Sequence, residues 1–264
     1  MVTKELIEII KCPITGSVLK FLGNDEIKIL NSKVANRKII HFDGSLVRKK
    51  IKSGYISSND RYVYPIVEGI IILYKDLAII NKGKFSKFDK SGQQLRKKTV
   101  IDFYNQIGWK KGDKDNYIDA LKYEDLRPVA KEYIHKCHLR VNRYLNPKGQ
   151  YLLDAGSGPI QYSEYFSYSK GYKYRVCIDI SILALKEAKK RLGNKGIYIL
   201  GDLTNLPFKD GSFDGAVSLH VIYHIPKTEQ KKALSEIHRT LREGSTAAVI
   251  YTWPSKINVL ALVG

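Results

Sequence analysis

Cysteine is scarce in this chain: three residues in 264, Cys12, Cys137 and Cys177, far apart from one another. That spacing excludes a disulfide framework and a four-ligand cysteine metal site. Long apolar runs are also missing. No stretch reaches the roughly 18–20 consecutive apolar residues that a bilayer-crossing helix needs. The opening Met1-Val2-Thr3-Lys4-Glu5 has no charged segment followed by an apolar one, so export is not expected and a cytoplasmic protein is the default. Acidic residues are few beside basic ones, 26 against 45, for a net charge of +19.

What is there begins with a core. A hydrophobic content of 44% over this length suits one large or two modest domains. The charge is uneven: residues 1–150 hold 30 Lys/Arg against 16 Asp/Glu, and residues 151–264 hold 15 against 10. Such a field attracts nucleic acid or an anionic membrane surface. The lysines are scattered rather than gathered on one helix, which is equally the pattern of a solvated surface.

Residues 1–75 read as a small β-rich module. Lys4 to Ile10 places Leu6, Ile9 and Ile10 at helical spacing. Short alternating runs at Glu26–Leu30, Arg37–Phe42 and Leu46–Ile51 predict strands, and Tyr62–Tyr74 closes the module. The pair "ELIEIIKCP" and "YPIVEGIIILY" resembles the small zinc-ribbon-like domain that serves as activator subunit of tRNA, ribosomal and release-factor methyltransferases. A ribbon of that type needs a cysteine where Thr15 stands, and no cysteine lies between Cys12 and Cys137. The expectation is therefore a metal-free module (metal ligands: none), with Cys12 a buried structural thiol and the module packed against the next domain.

Residues 76–148 read as a helical connector. Lys82 to Lys98 is charged, and Val100–Trp109 is apolar at helical spacing, as either a docked surface helix or a lid. Arg127 to Leu145 predicts a long amphipathic helix ended by Asn146-Pro147. From residue 149 onward strands and helices alternate, which predicts a mainly parallel sheet with helices on both faces. The strands are expected at Tyr151–Asp154, Tyr174–Asp179, Ile197–Leu200, Phe213–Leu219 and Ala247–Trp253. Helices are expected from Ser181, as N-cap, to Arg191 and from about Thr228 to Arg242, the latter closing at Gly244. The fold class is thus α/β, a Rossmann-like doubly wound sheet behind a small β-rich α+β domain.

The first of these strands ends in Asp154-Ala155-Gly156-Ser157-Gly158. Two glycines let the backbone approach a ligand at the carboxyl edge of such a sheet. Gln161 stands where G-x-G-x-x-G would have its third glycine. Asp154, Asp179 and Asp202 fall at the ends of three successive strands. Asp179 lies 23 residues beyond Gly156, near the spacing at which a strand-two acid bonds ribose hydroxyls.

The blocks "LLDAGSGP", "VCIDIS", "GDLTNLPFKDGSFDGAVSLHVIYHI" and "EIHRTLREGSTAAVIYTW" resemble, in order and spacing, the motifs of class I S-adenosylmethionine-dependent methyltransferases of the type 11-like group. A dinucleotide dehydrogenase shares the glycine turn and the strand-two acid but not the later blocks. The resemblance implies a cofactor, S-adenosyl-L-methionine, held by Asp154, Ala155, Gly156, Ser157 and Gly158 at its methionine end. Asp179 and Ile180 would meet the ribose and adenine, and Asp202 and Leu203 the adenine. His220 would sit beside the sulfonium. Ile160 replaces the third glycine of the family's G-x-G-x-G form.

Catalysis in this class is mainly alignment, with a general base where the nucleophile is protonated. His220, Tyr223 and His224 are the candidates for that role. The Asn/Asp-Pro-Pro-aromatic turn that goes with amino-group methylation of bases is replaced by Ser218-Leu219-His220-Val221. The expected function is methylation of a small-molecule acceptor at O, N or C. The alternatives are an RNA (tRNA or rRNA) methyltransferase and a non-catalytic cofactor-binding, partner-recruiting module. A full class I sheet has seven strands, and only five are legible before Gly264. The domain, residues 149–264, therefore reads as C-terminally incomplete, with strand five an apolar edge for further strands or a partner chain to cover.

Overall fold

The computed structural model describes residues 5–82, Trp109, Tyr117 and 128–251. Val100–Gly108 and nearly all of Lys82–Lys98 lie outside the described residues, as does the chain beyond Tyr251.

Among the described residues, ten strands form one sheet. They are β1 (Leu19–Phe21), β2 (Gly54–Ser57), β3 (Tyr62–Val67), β4 (Ile70–Ile72), β5 (Ile79–Ile80), β6 (Gly149–Ala155), β7 (Tyr172–Asp179), β8 (Gly196–Leu200), β9 (Phe213–Leu219) and β10 (Leu241–Ile250). The spatial order is β1-β2-β3-β4-β8-β7-β6-β9-β10, with β5 paired to β3. From β4 to β10 every neighbouring pair is parallel. The helices are α1 (Asn24–Ala35), α2 (Pro128–Arg140), α3 (Ile182–Leu192) and α4 (Lys227–Thr240). Burial of Leu185, Ala188 and Leu192 fixes α3 to one face of the sheet. Ala233 and Ile237 fix α4 to the other, beside Leu6, Ile9 and Ile10 of the opening helical turn.

The first 80 residues and the parallel half share this sheet. β3 turns into β4 through Glu68-Gly69, both at positive φ (53° and 77°), as a two-residue hairpin requires. β4 then pairs in parallel with β8, Ile70 opposite Tyr198 and Ile72 opposite Leu200. A second seam forms where Ile10 pairs antiparallel with Phe208. There the Lys11 N–H donates to Pro207 O (2.9 Å) and the Lys209 N–H to Ile9 O (2.8 Å). The Pro207-Phe208 block, read from sequence as part of a motif, is thus also the docking strip for the N-terminal turn.

Several expectations for residues 26–51 are corrected. Glu26–Leu30 is not a strand but the middle of α1. The Glu26 carboxylate accepts the Gly23 N–H (2.7 Å), and Ile27, Leu30 and Val34 share one buried face at helical spacing. Arg37–Phe42 and Leu46–Ile51 form no strands, only isolated bridges, Ile40 to Leu46 and His41 to Ile79.

In the parallel half, β9 matches its expected span and α2 gives way at Val141 to a 3-10 turn. Helix α4 stops at Thr240 instead of Arg242, and β10 starts at Leu241, not Ala247. Gly244 (φ 73°) therefore sits inside the strand, at the register shift between Leu241 and Thr246, rather than ending a helix. Asp214 explains the Phe-Asp block: it accepts the N–H groups of Gln150 (2.7 Å) and Tyr151 (2.9 Å), tying β9 to the start of β6. β10 closes the order and pairs with β9 alone among the described residues. No described helix is long and apolar enough to cross a membrane.

Candidate functional site

The chain leaves β6 toward β7 and β8 on one side and returns to β9 and β10 on the other. The crevice outside the carboxyl ends of β6 and β9 is therefore the topological switch point, where α/β sheets bind ligands. The sequence places Gly156–Gly158 and His220–His224 there.

Gly156 and Gly158 both take positive φ, 78° and 55°. A Cβ on Gly156 would lie 2.5 Å from the methyls of Val221, and one on Gly158 would lie 3.4 Å from the Trp109 ring. The N–H groups of Gly156 and Ser157 both donate to Ile178 O (2.8 and 3.2 Å). The Ser218 hydroxyl donates to Ala155 O (2.9 Å), so the turn is pinned to β7 on one side and to β9 on the other. Ile160, at φ 56°, adopts the conformation its glycine counterpart would take, with its side chain fully buried. A β-branched residue pays steric strain there, which the apolar burial offsets. Arg191 holds this turn by donating to the carbonyls of Ile160 (2.8 Å) and Gln161 (2.9 Å).

Asp179 is buried beside that turn. Its carboxylate accepts the Gly158 N–H (2.9 Å) and the Ser181 N–H (2.8 Å). Burial raises its pKa to about 6, against the pull of those backbone donors. Ile180 follows it, half-buried. Asp202, at the end of β8, accepts from the backbone and hydroxyl of Thr204 (both 2.8 Å), and Leu203 is buried next to it.

Asp154 is placed differently from its neighbours. Its carboxylate is paired with Arg175 at 2.8 Å to Nε and 2.6 Å to Nη2, both residues being buried, and Arg175 also donates to Tyr165 O. The sequence signal was visible in Tyr174-Arg175-Val176, a cation within an apolar strand, but its partner is not adjacent in sequence.

After β9, the backbone at His220 turns through positive φ (57°), and its N–H donates to Ile250 O (3.0 Å). His220 is exposed and His224 half-buried. Burial, then the charge of His220, lowers the His224 pKa. The rings of Tyr223 and His224 lie 4.3 Å apart, and Tyr251 meets Tyr223 edge-on at 5.9 Å. The structure thus brings His220, Tyr223 and His224 into one turn, whose Val221 lies on Gly156.

Residues 153–249 match the family described as a methyltransferase domain. The match runs from β6 through β10. An uncharacterised protein of Methanocaldococcus jannaschii is 30% identical over 154 residues, 58% of this chain and 60% of that one. The ubiquinone/menaquinone biosynthesis C-methyltransferase of a Ruegeria strain is 29% identical over 138 residues, 50% of this chain and 54% of that one. The mouse 18S rRNA (guanine-N(7))-methyltransferase is 33% identical over 129 residues, 44% of each. The chain spans about half the length of the curated relatives it matches. The second and third of these are named for methyl transfer, to different acceptors.

The residues at this edge fit a nucleoside cofactor with a short polar tail. Gly156 leaves no room for a Cβ under Val221, and Asp179 and Asp202 supply acceptors at the ends of neighbouring strands. Ribose hydroxyls would use the remaining lone pairs of Asp179. Asp154, held by Arg175, supports the strand ends rather than facing the crevice with a spare charge. Among the described residues, no group of three or more His, Cys, Asp or Glu is gathered to hold a metal.

Proposed function

We propose that this chain is an S-adenosylmethionine-dependent methyltransferase acting on a small-molecule acceptor. The observation that carries the reading is the junction at the switch point. There the glycine turn is bonded to a buried Asp179 on one side and overlaid by Val221 of the histidine-bearing turn on the other. When bound, the cofactor supplies a methyl group already activated by its sulfonium. The chain's own work is to position and to exclude water. Asp179 and Asp202 hold the nucleoside end, and the His220–His224 turn borders the reacting end. His224, with its lowered pKa, is neutral at pH 7, so its imidazole can take the proton of a hydroxyl or amine acceptor.

Isothermal titration of the full chain with S-adenosylmethionine and S-adenosylhomocysteine tests this. Saturable binding is expected, and a folded sample that binds neither sinks the proposal. Binding without turnover on any acceptor panel would favour the non-catalytic reading.

One structural feature favours an RNA acceptor as the second reading. Lys38 and Arg48 are exposed, each two residues outside the isolated bridge of Ile40 with Leu46. Lys49 lies within electrostatic range of Glu68, which pairs with Lys186. Among the described residues Lys38, Arg48, Lys49 and Lys50 make no ion pair. RNA retention that falls steeply with salt would support this reading, because phosphate contacts release counterions.

The activator-like reading of residues 1–75 belongs to the same proposal: a metal-free module that packs against the catalytic half. It is supported by Cys12, buried and 3.1 Å from the Tyr64 hydroxyl, as a structural thiol would be. Elemental analysis checks it, and stoichiometric zinc would refute it.

A further inference from the structure

The pairing of β4 with β8 brings a side chain from the N-terminal module to the cofactor edge. Ile72 is opposite Leu200, and Tyr74, two residues on, lies within electrostatic range of Asp202, two residues past Leu200. Leu73, between Ile72 and Tyr74, is buried. The Tyr74 ring packs, half-buried, on the apolar cluster that includes Ile72, Leu200 and Cys177. That is the face carrying Asp179, two residues beyond Cys177 on β7. Burial raises the Tyr74 phenol well above its ordinary pKa, and the nearby charges of Asp76, Asp202 and Glu229 add to the shift. The hydroxyl therefore stays protonated, and acceptor groups surround this end of the crevice.

We infer that Tyr74 forms a wall of the subsite for the cofactor's purine, beside Asp202, so that the N-terminal module completes the nucleoside site. This rests on the cofactor reading proposed above. An aromatic face suits a purine, since stacking is set by the ring and not by hydrogen-bond pattern. Asp202 then offers an acceptor for the exocyclic amino group.

The test is titration of the full chain with S-adenosylhomocysteine and, separately, with adenosine, which isolates the nucleoside end. Tyr74→Ala should weaken both by the same factor, roughly tenfold, the scale of losing one base-stacking ring. Tyr74→Phe, which keeps the ring, should bind both like the parent. Should Tyr74→Ala fail to fold, Tyr74→Leu takes its place, with a several-fold loss expected. Parent-like affinity in the Ala or Leu variant overturns the inference and leaves the methyltransferase proposal standing. So does a loss confined to S-adenosylhomocysteine. A parent chain that binds neither ligand removes both.

Discussion

From β1 to β4 the strands are three to six residues long and pair antiparallel; from β8 to β10 they are five to ten residues long and pair in parallel. The parallel half has helices on both faces and a buried ion pair at its centre. The antiparallel part has one helix among the described residues, α1, which packs Leu30 and Val34 into a cluster with Val47, Ile51 and Ile56. It is joined to the parallel half by adding β4 to the edge of β8 and by laying Leu6, Ile9 and Ile10 against Phe208. An edge strand exposes unpaired backbone groups that invite association. The module removes that liability at β8, and β10 has no pairing partner besides β9 among the described residues.

If this contrast is right, the largest effect comes from removing the smaller part. Deleting residues 1–75 uncovers the β8 edge and the apolar face around Ile199 and Phe208. At about 25 cal/mol per Å², a few hundred Å² of lost burial is several kcal/mol. The remainder should aggregate or melt much earlier in calorimetry, and an unchanged melting temperature would break the comparison.

Next comes the centre of the parallel half. Arg175→Met leaves Asp154 buried without its cation and should cost about 3–5 kcal/mol in urea unfolding. The double variant Asp154→Leu with Arg175→Met should recover most of that loss, because a buried ion pair contributes little beyond a well-packed apolar pair.

Asp179 sharpens the division between holding the fold and holding the ligand. Asp179→Ala should weaken S-adenosylhomocysteine binding by about 1.5–3 kcal/mol, the scale of hydrogen bonds to a charged group. The pH dependence has a definite sign. A native pKa near 6, above the ordinary 3.8, means the folded state binds this proton more tightly than the unfolded one. Its contribution to stability is therefore full below about pH 3.8 and lost as pH rises through about 6. Ligand affinity, which uses the ionised form, should rise through the same upper limit and level off near pH 7. Titrations between pH 5 and 7.5 should show that rise in the parent and a flat profile in Asp179→Asn.

The smallest effect is expected where the two parts meet in water. Glu68 pairs with Lys186 at 2.9 Å on the exposed side of the β4–α3 seam. Lys186→Ala should leave the melting temperature unchanged, since exposed ion pairs are screened and entropically costly. A clear drop would mean that charge, and not apolar burial, joins the parts.

The parallel half was largely legible because its signals are local. β9 is an apolar run bounded by turn residues, and Ser181 caps α3 as its position predicts, accepting from Ala184 N (3.3 Å). The N-terminal part was less so. Glu26–Leu30 is too short for periodicity to separate helix from strand, and the deciding contacts of Leu30 and Val34 lie with Val47, Ile51 and Ile56. Gly244 shows the same limit: a glycine after a helical pattern marks either a stop or a bulge, and pairing with β9 selects the bulge.

The order of the elements around the parallel strands, the glycine turn and the three strand-end acids could be read along the chain, because each depends on adjacent residues. What those acids face is set by the packing of the fold. Arg175 claims Asp154 from the neighbouring strand, the N–H groups of Gly158 and Ser181 claim Asp179, and Tyr74 arrives beside Asp202 from 128 residues upstream. The physical reason is that a buried carboxylate must find donors or a counter-charge in space. Strand register, not sequence separation, sets which groups stand within reach.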